Sequence, residues 1–164
     1  MLTIQSLNGS HNRNVFDCGK QVLDAWLAQT ARQHQDKDIS QTFVAVDVGS
    51  PRRILGFYAL NVCEVVSEDL PDEIASKMPR KTPAIRLGRL AVDKSVQGQR
   101  LGELLLMDAI KRSCEVRKHV GLFALFVDAK DDGAVTFYGR YGFKSLPDAP
   151  RTMVLALREI CTRW

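Results

Sequence analysis

No run of apolar residues in this 164-residue chain approaches the roughly 20 that a membrane-crossing helix needs. Nor does a basic segment followed by an apolar one open the chain, as it would in a secretory signal. The expectation is a soluble, cytoplasmic protein that works away from the membrane. Cysteine is scarce: Cys18, Cys63, Cys114 and Cys161 are scattered with no paired spacing. That pattern speaks against a disulfide frame or a zinc site and reads as reduced, mostly buried thiols. His11, His34 and His119 lie too far apart to make a local ligand motif, so no metal is expected. There is no repeat, low-complexity tract or linker, which makes residues 1–164 one domain, large enough to bury a real core. A formal charge of +4 is too mild to dictate a partner by itself. Arg80, Lys81, Arg86 and Arg89 are nevertheless concentrated in one stretch. On charge alone this is a solvated basic face. No helical stretch pairs a basic face with a DNA-recognition motif, which speaks against direct DNA binding.

What is present is an alternation of strand and helix patterns. Leu2 to Leu7 alternates as a first strand. Asp17-Cys18-Gly19-Lys20 reads as a helix start, with Leu23, Trp26, Leu27 and Ala31 along one apolar face. The polar stretch from Gln33 to Gln41 reads as a loop. Thr42 to Val48 and Ile54 to Val62 are rich in β-branched and aromatic residues, and Gly49-Ser50-Pro51-Arg52 between them signals an antiparallel hairpin. Glu68 to Met78 reads as a short helix or irregular connector, and Ala84 to Val92 as the next strand. Gln99 to about Lys118 carries apolar stripes on a broad face and reads as the main helix. Gly121 to Val127 is nearly all apolar, as in a strand buried on both faces. Asp131 to Tyr141 is a further helix stopped at Gly142, and Phe143 to Leu146 and Thr152 to Leu157 are closing strands. The fold class is α/β: a mixed, mostly antiparallel sheet with helices on both faces.

Two segments carry chemistry. In Leu90-Ala91-Val92-Asp93-Lys94-Ser95-Val96-Gln97-Gly98-Gln99-Arg100-Leu101-Gly102-Glu103, a strand enters a polar turn that opens into the main helix. The first N–H groups of a helix have no intrahelical acceptor, and the helix dipole adds positive potential, so this arrangement cradles anions. The second segment is Ala134-Val135-Thr136-Phe137-Tyr138-Gly139-Arg140-Tyr141-Gly142-Phe143. Together the two resemble the GNAT superfamily of N-acetyltransferases.

The resemblance implies a GNAT fold with a splayed central strand pair, and acetyl-CoA as co-substrate without a metal. Leu90, Ala91 and Val92 would pair with the pantetheine arm. The turn Gln97-Gly98-Gln99-Arg100-Leu101-Gly102, with Glu103, would hold the pyrophosphate. Arg100 stands where the family usually has glycine; a helical backbone there would keep its N–H donor, and its side chain could reach a phosphate. Tyr138 occupies the family's general-acid position, and a tyrosine with its ordinary pKa near 10 is protonated at neutral pH. Phe137 would also line the cofactor, with Phe137 and Phe143 packing under the sheet. Tyr58 and Tyr141 have no motif behind them. Asp131 stands where many relatives carry a cofactor-contacting asparagine; an ionised carboxylate there only accepts hydrogen bonds. No general base is evident beyond the weak candidates Glu64 and Glu68.

Further strings run in order along almost the whole chain: Asp17-Cys18-Gly19, Leu23-Asp24-x-Trp26-Leu27, Gly56-Phe57-Tyr58-Ala59-Leu60, Leu70-Pro71, Met78-Pro79-Arg80, Pro83 to Asp93, and Val127-Asp128-Ala129-Lys130. They resemble the GNAT toxins of bacterial toxin–antitoxin pairs. That resemblance implies acetylation of the α-amine of aminoacyl-tRNA and a ribbon-helix-helix antitoxin through which alone DNA is bound; it is compatible with a homodimer. Arg80, Lys81, Arg86, Arg89 and Arg140 would then hold the tRNA backbone. An α-amine, with a pKa of about 7.7–8.0, has less need of a base than a lysine at about 10.4. Two other readings stand beside this one: an acetyltransferase for a small-molecule or protein amine, and a non-catalytic acyl-CoA-binding regulatory module.

Overall fold

A computed structural model describes residues 1–162. Seven strands follow the order β1-β2-β3-β4-β5-β7-β6 across one sheet: β1 (Leu2–Ser6), β2 (Gln41–Asp47), β3 (Gly56–Val66), β4 (Lys81–Val92), β5 (Ala124–Asp128), β6 (Lys144–Leu146) and β7 (Ala149–Ala156). The helices are α1 (Gln21–Gln29), α2 (Ala31–Asp36), α3 (Asp72–Ala75), α4 (Leu101–Arg117), α5 (Asp132–Gly139) and α6 (Leu157–Cys161). The chain packs as two compact units, one of residues 1–61 and 89–109, the other of residues 62–88 and 110 onward.

In the first unit, β1 pairs antiparallel with β2 and β2 with β3, from Leu2↔Asp47 to Ala45↔Gly56. This is the expected hairpin. Its core joins Leu7, Phe16, Trp26, Leu27, Val44, Val46, Ile54 and Phe57, with Trp26 stacked on Phe57 at 6.1 Å. The helix expected after Asp17 begins at Gln21, because Gly19 turns left-handed (φ 91°) and Asp24 reaches back to accept the Cys18 N–H. The expected loop from Gln33 to Gln41 is helical to Asp36. Ala31 is fully buried there, and the Gln35 amide donates to the Leu7 carbonyl (2.7 Å) and accepts from the Thr42 N–H (3.0 Å). A polar residue does the anchoring, so apolar periodicity could not show it. Gly56 is a close approach: a Cβ would meet Leu105 at 2.8 Å and the Ala91 carbonyl at 3.1 Å.

In the second unit, β4 pairs parallel with β5 from Ala84↔Ala124 to Leu87↔Val127, and β5 and β6 each pair antiparallel with β7. Parallel neighbours need a crossover, and the chain between β4 and β5 contains α4. Ala124, Leu125, Phe126 and Val127 are buried on both faces, as the apolar run required. β5 ends at Asp128, whereas β4 continues beyond Leu87 to Val92. The last expected strand stops at Ala156, and Leu157 opens α6 instead.

The cysteine expectation needs correction. Cys114 of α4 and Cys161 of α6 form a disulfide, their Cα atoms 5.5 Å apart, while Cys18 and Cys63 keep their thiols. The partners lie 47 residues apart in sequence. Only the packing of α6 brings them within bonding distance, so no local spacing could reveal the pair.

Candidate active site

The phosphate-type turn belongs to the first unit and is held by a closed local network. Asp93 follows β4. Its carboxylate accepts the Ser95 N–H (3.0 Å), the Ser95 hydroxyl (2.8 Å) and the Asp17 N–H (3.0 Å). Arg53 lies 3.8 Å from it and donates to the Ser95 hydroxyl. Burial alone would raise the Asp93 pKa; the three donors and the Arg53 charge outweigh it and hold the carboxyl below its usual range. Gln97 donates from one amide nitrogen to the carbonyls of Cys18 and Val92, 2.9 Å each. Its side chain therefore clamps the turn to the end of β4.

Gly98 is left-handed (φ 80°), and no atom stands within 4 Å of where its Cβ would be. Arg100 is left-handed too, at φ 64°. The helical backbone expected at Arg100 is therefore wrong. The turn retains the conformation that glycine adopts freely, and a side chain adopts it at a cost of about 1–2 kcal/mol. Arg100 is exposed, and its carbonyl accepts the Leu104 N–H at the start of α4. Leu101 and Leu105 are buried and fix the helix, whereas Gly102 and Glu103 are half-buried in its first turn. Leu90 and Val92 are half-buried and Ala91 is buried.

Tyr138 belongs to the second unit. Asp131 caps α5 by accepting the Ala134 N–H at 2.8 Å, so this carboxylate has a structural task. Tyr138 is 5% exposed and meets Phe137 and Phe143 edge-on at 5.2 and 5.6 Å. Phe137 is only half-buried, so Tyr138 and Phe143, more than Phe137, fill the interior. Burial, and secondarily the Asp128 carboxylate, push the Tyr138 pKa well above the ordinary tyrosine range. The hydroxyl stays protonated at any physiological pH. Tyr58 is fully buried and donates to Asp108, and half-buried Tyr141 packs against Phe137.

The basic residues are divided between the two units. Arg80 and Arg140 are exposed; Lys81 stands 3.7 Å from Glu64, and Arg86 Nε 3.5 Å from Asp128. These four belong to the second unit. Arg89 belongs to the first and lies over the Trp26 ring, 4.3 Å from its centre. The exposed Lys81–Glu64 pair contributes about 0–1 kcal/mol. In the sequence Asp128 figures only within the Val127-Asp128-Ala129-Lys130 string, without a chemical role; its contacts with Arg86 and Thr152 across the strands appear only in the structure.

Residues 17–153 match the family model described as Acetyltransferase (GNAT) domain. The chain belongs to the GNAT acetyltransferases. Within that class it is 36% identical to a Mycobacterium tuberculosis protein named tRNA-acetylating toxin, over 88% of this chain and 85% of the relative. Its structure resembles a tyrosine-to-phenylalanine mutant of KacT (TM-score 0.93, 31% identity, 99% of each chain). It also resembles AtaT complexed with acetyl-methionyl-tRNAfMet (TM-score 0.88, 31% identity, 98% of this chain and 97% of that one). Similar structures also include AtaTR bound with acetyl-CoA and a KacTA–DNA complex, each 30% identical to this chain.

Proposed function

We propose that this chain is an acetyl-CoA-dependent N-acetyltransferase that blocks the α-amine of aminoacyl-tRNA, the toxin of a toxin–antitoxin pair. The observation that carries the reading is its chain-long likeness to AtaT complexed with acetyl-methionyl-tRNAfMet. The open backbone over Gly98 suits a pyrophosphate, which needs close approach to N–H donors. Exposed Arg100 adds a charge-assisted donor beside it. Beyond Leu87, β4 outruns its pairing with β5, and Leu90-Ala91-Val92 offers backbone to the pantetheine arm.

The acceptor's α-amine attacks the thioester carbonyl. The carbon–sulfur bond breaks, and the Tyr138 hydroxyl protonates the departing thiolate. The raised pKa of Tyr138 keeps the hydroxyl protonated at neutral pH. Arg80, Lys81, Arg86, Arg89 and Arg140 contact the tRNA backbone, positioning it without reading its sequence. The partner is a ribbon-helix-helix antitoxin that binds DNA with the toxin, and the working compartment is the cytoplasm, where charged tRNA is found.

The test is transfer of labelled acetyl from acetyl-CoA to a total pool of charged tRNA. Label is expected on charged tRNA only, with a sharp fall for Tyr138→Phe. Turnover on small amines with none on charged tRNA would replace this reading with a small-molecule acetyltransferase. Acetyl-CoA binding without any turnover would make the chain a regulatory module.

A further inference from the structure

The reaction leaves a proton to place. When an amine attacks a carbonyl, its nitrogen becomes positive and must lose a proton, and no residue described so far receives it. Several carboxylates of the second unit are accounted for by other tasks or by exposure, Glu68 among the exposed ones. Glu64 is exposed and pairs with Lys81. Glu73 is exposed and pairs with Lys144. Asp131 caps α5, and Asp132 is 93% exposed beside Arg151. Asp128 differs from these, because side chains from the strands on both sides of it reach its two oxygens. Arg86 of β4 holds Nε 3.5 Å from Oδ2, and Thr152, its cross-strand partner on β7, holds its hydroxyl 3.5 Å from Oδ1. Half-buried Cys63 of β3 lies within the electrostatic reach of both Arg86 and Asp128, and Tyr138 of α5 within that of Asp128. Both polar contacts are long, and the carboxylate is 40% exposed, so it can still accept a hydrogen bond from an incoming group. Arg86 Nε is itself buried without a hydrogen-bond partner, which marks the pair as loosely closed.

We propose that Asp128 accepts a hydrogen bond from the acceptor's amine and takes the proton that this nitrogen sheds during attack. The proposal rests on the acetyltransferase reading above and supplies its missing proton acceptor. The nitrogen lone pair forms the carbon–nitrogen bond, and the carbon–sulfur bond breaks with its electrons going to sulfur. Sulfur takes the Tyr138 proton, and Asp128 takes the nitrogen proton. Transfer of that proton from the Asp128 carboxyl to the tyrosinate restores both residues. Because the positive charge on nitrogen grows only during attack, a fixed carboxylate stabilises the transition state more than the neutral amine before it.

The experiment compares Asp128→Asn and Asp128→Glu with the unaltered chain from pH 6 to 9. Charged tRNA and phenylalanine methyl ester serve as acceptors, and acetyl-CoA affinity is measured separately. Asp128→Asn should lower kcat about 10²-fold at pH 7, the lower end of general-base effects, with acetyl-CoA affinity unchanged. The deficit should shrink as pH rises and solvent base takes over, and Asp128→Glu should recover part of the rate. A kcat within threefold of the unaltered chain, or a loss matched by weaker acetyl-CoA binding, overturns the proposal. Transfer to the ester but not to charged tRNA rejects the tRNA reading, and the ester rates still decide the role of Asp128. Transfer to neither acceptor rejects both.

Discussion

The turn that ends β4 and the surroundings of Tyr138 are built in opposite ways. The turn is mostly local: Asp93, Ser95, Gln97, Gly98 and Arg100 fall within eight residues, with Asp17, Cys18 and Arg53 as outside supports. Its working surface is backbone. The tyrosine region depends on side chains of β4, β5, β7 and α5, where Asp128 meets Arg86 and Thr152 and lies within the electrostatic reach of Tyr138. A backbone site tolerates changes of side chain if the dihedral angles survive, and Arg100 keeps the left-handed conformation that glycine adopts freely. A site for the proposed proton transfer would tolerate little, because its chemistry resides in named atoms.

The sharpest break in that comparison is Tyr138→Phe. It should lower transfer by about 10²-fold or more while acetyl-CoA affinity, measured by calorimetry, stays within twofold. An equal loss of affinity would mean that the two regions are not functionally separable. Next in size, reducing the Cys114–Cys161 bond should cost the chain about 2–4 kcal/mol by freeing the unfolded chain. Denaturant titration with and without reductant reads this directly. Activity that survived the loss of stability would show that the bond supports the unit and not the chemistry.

Arg100→Gly should change stability by no more than about 1 kcal/mol, since relief of the left-handed strain is offset by the greater unfolded freedom of glycine. Acetyl-CoA affinity should nevertheless fall several-fold if the guanidinium reaches a phosphate. Unchanged affinity would reduce Arg100 to a bystander on a backbone site.

The smallest effects lie at opposite ends of the pH scale. Asp93 has a lowered pKa, so the unfolded chain binds its proton first as pH falls. The stability it lends is present above the unfolded value of 3.8 and is lost as pH drops through the folded one. Tyr138 has a raised pKa, so stability is full below about pH 10 and declines as the unfolded tyrosine ionises above that. Acid unfolding of Asp93→Asn and alkaline unfolding of Tyr138→Phe should each be less pH-dependent than in the unaltered chain. The reverse pairing would overturn the assignment.

Much of the fold was legible in order and type. The hairpin of β2 and β3, the fully apolar β5, the long α4 and the Asp131 start of α5 all follow from periodicity, caps and turn residues. The errors share one cause. Residues 33–36 are helical because Ala31 is buried and Gln35 is clamped to Leu7 just after β1 and to Thr42 of β2, and α6 follows β7 where a strand was expected to continue. Of the site, the turn and Tyr138 were legible as motifs. The clamping role of Gln97, the left-handed Arg100 and the placement of Asp128 were not.

The sequence by itself determined most of the elements and marked the turn and Tyr138 as candidates, because a helix start, a glycine-bearing turn and a family motif are each written within a few consecutive residues. Only the tertiary structure decided the Cys114–Cys161 bond, the stacking of Arg89 on Trp26 and the meeting of Arg86, Asp128 and Thr152. Those contacts join residues 24 to 63 positions apart, and such distances close only when strands take their places in the sheet and helices pack on it.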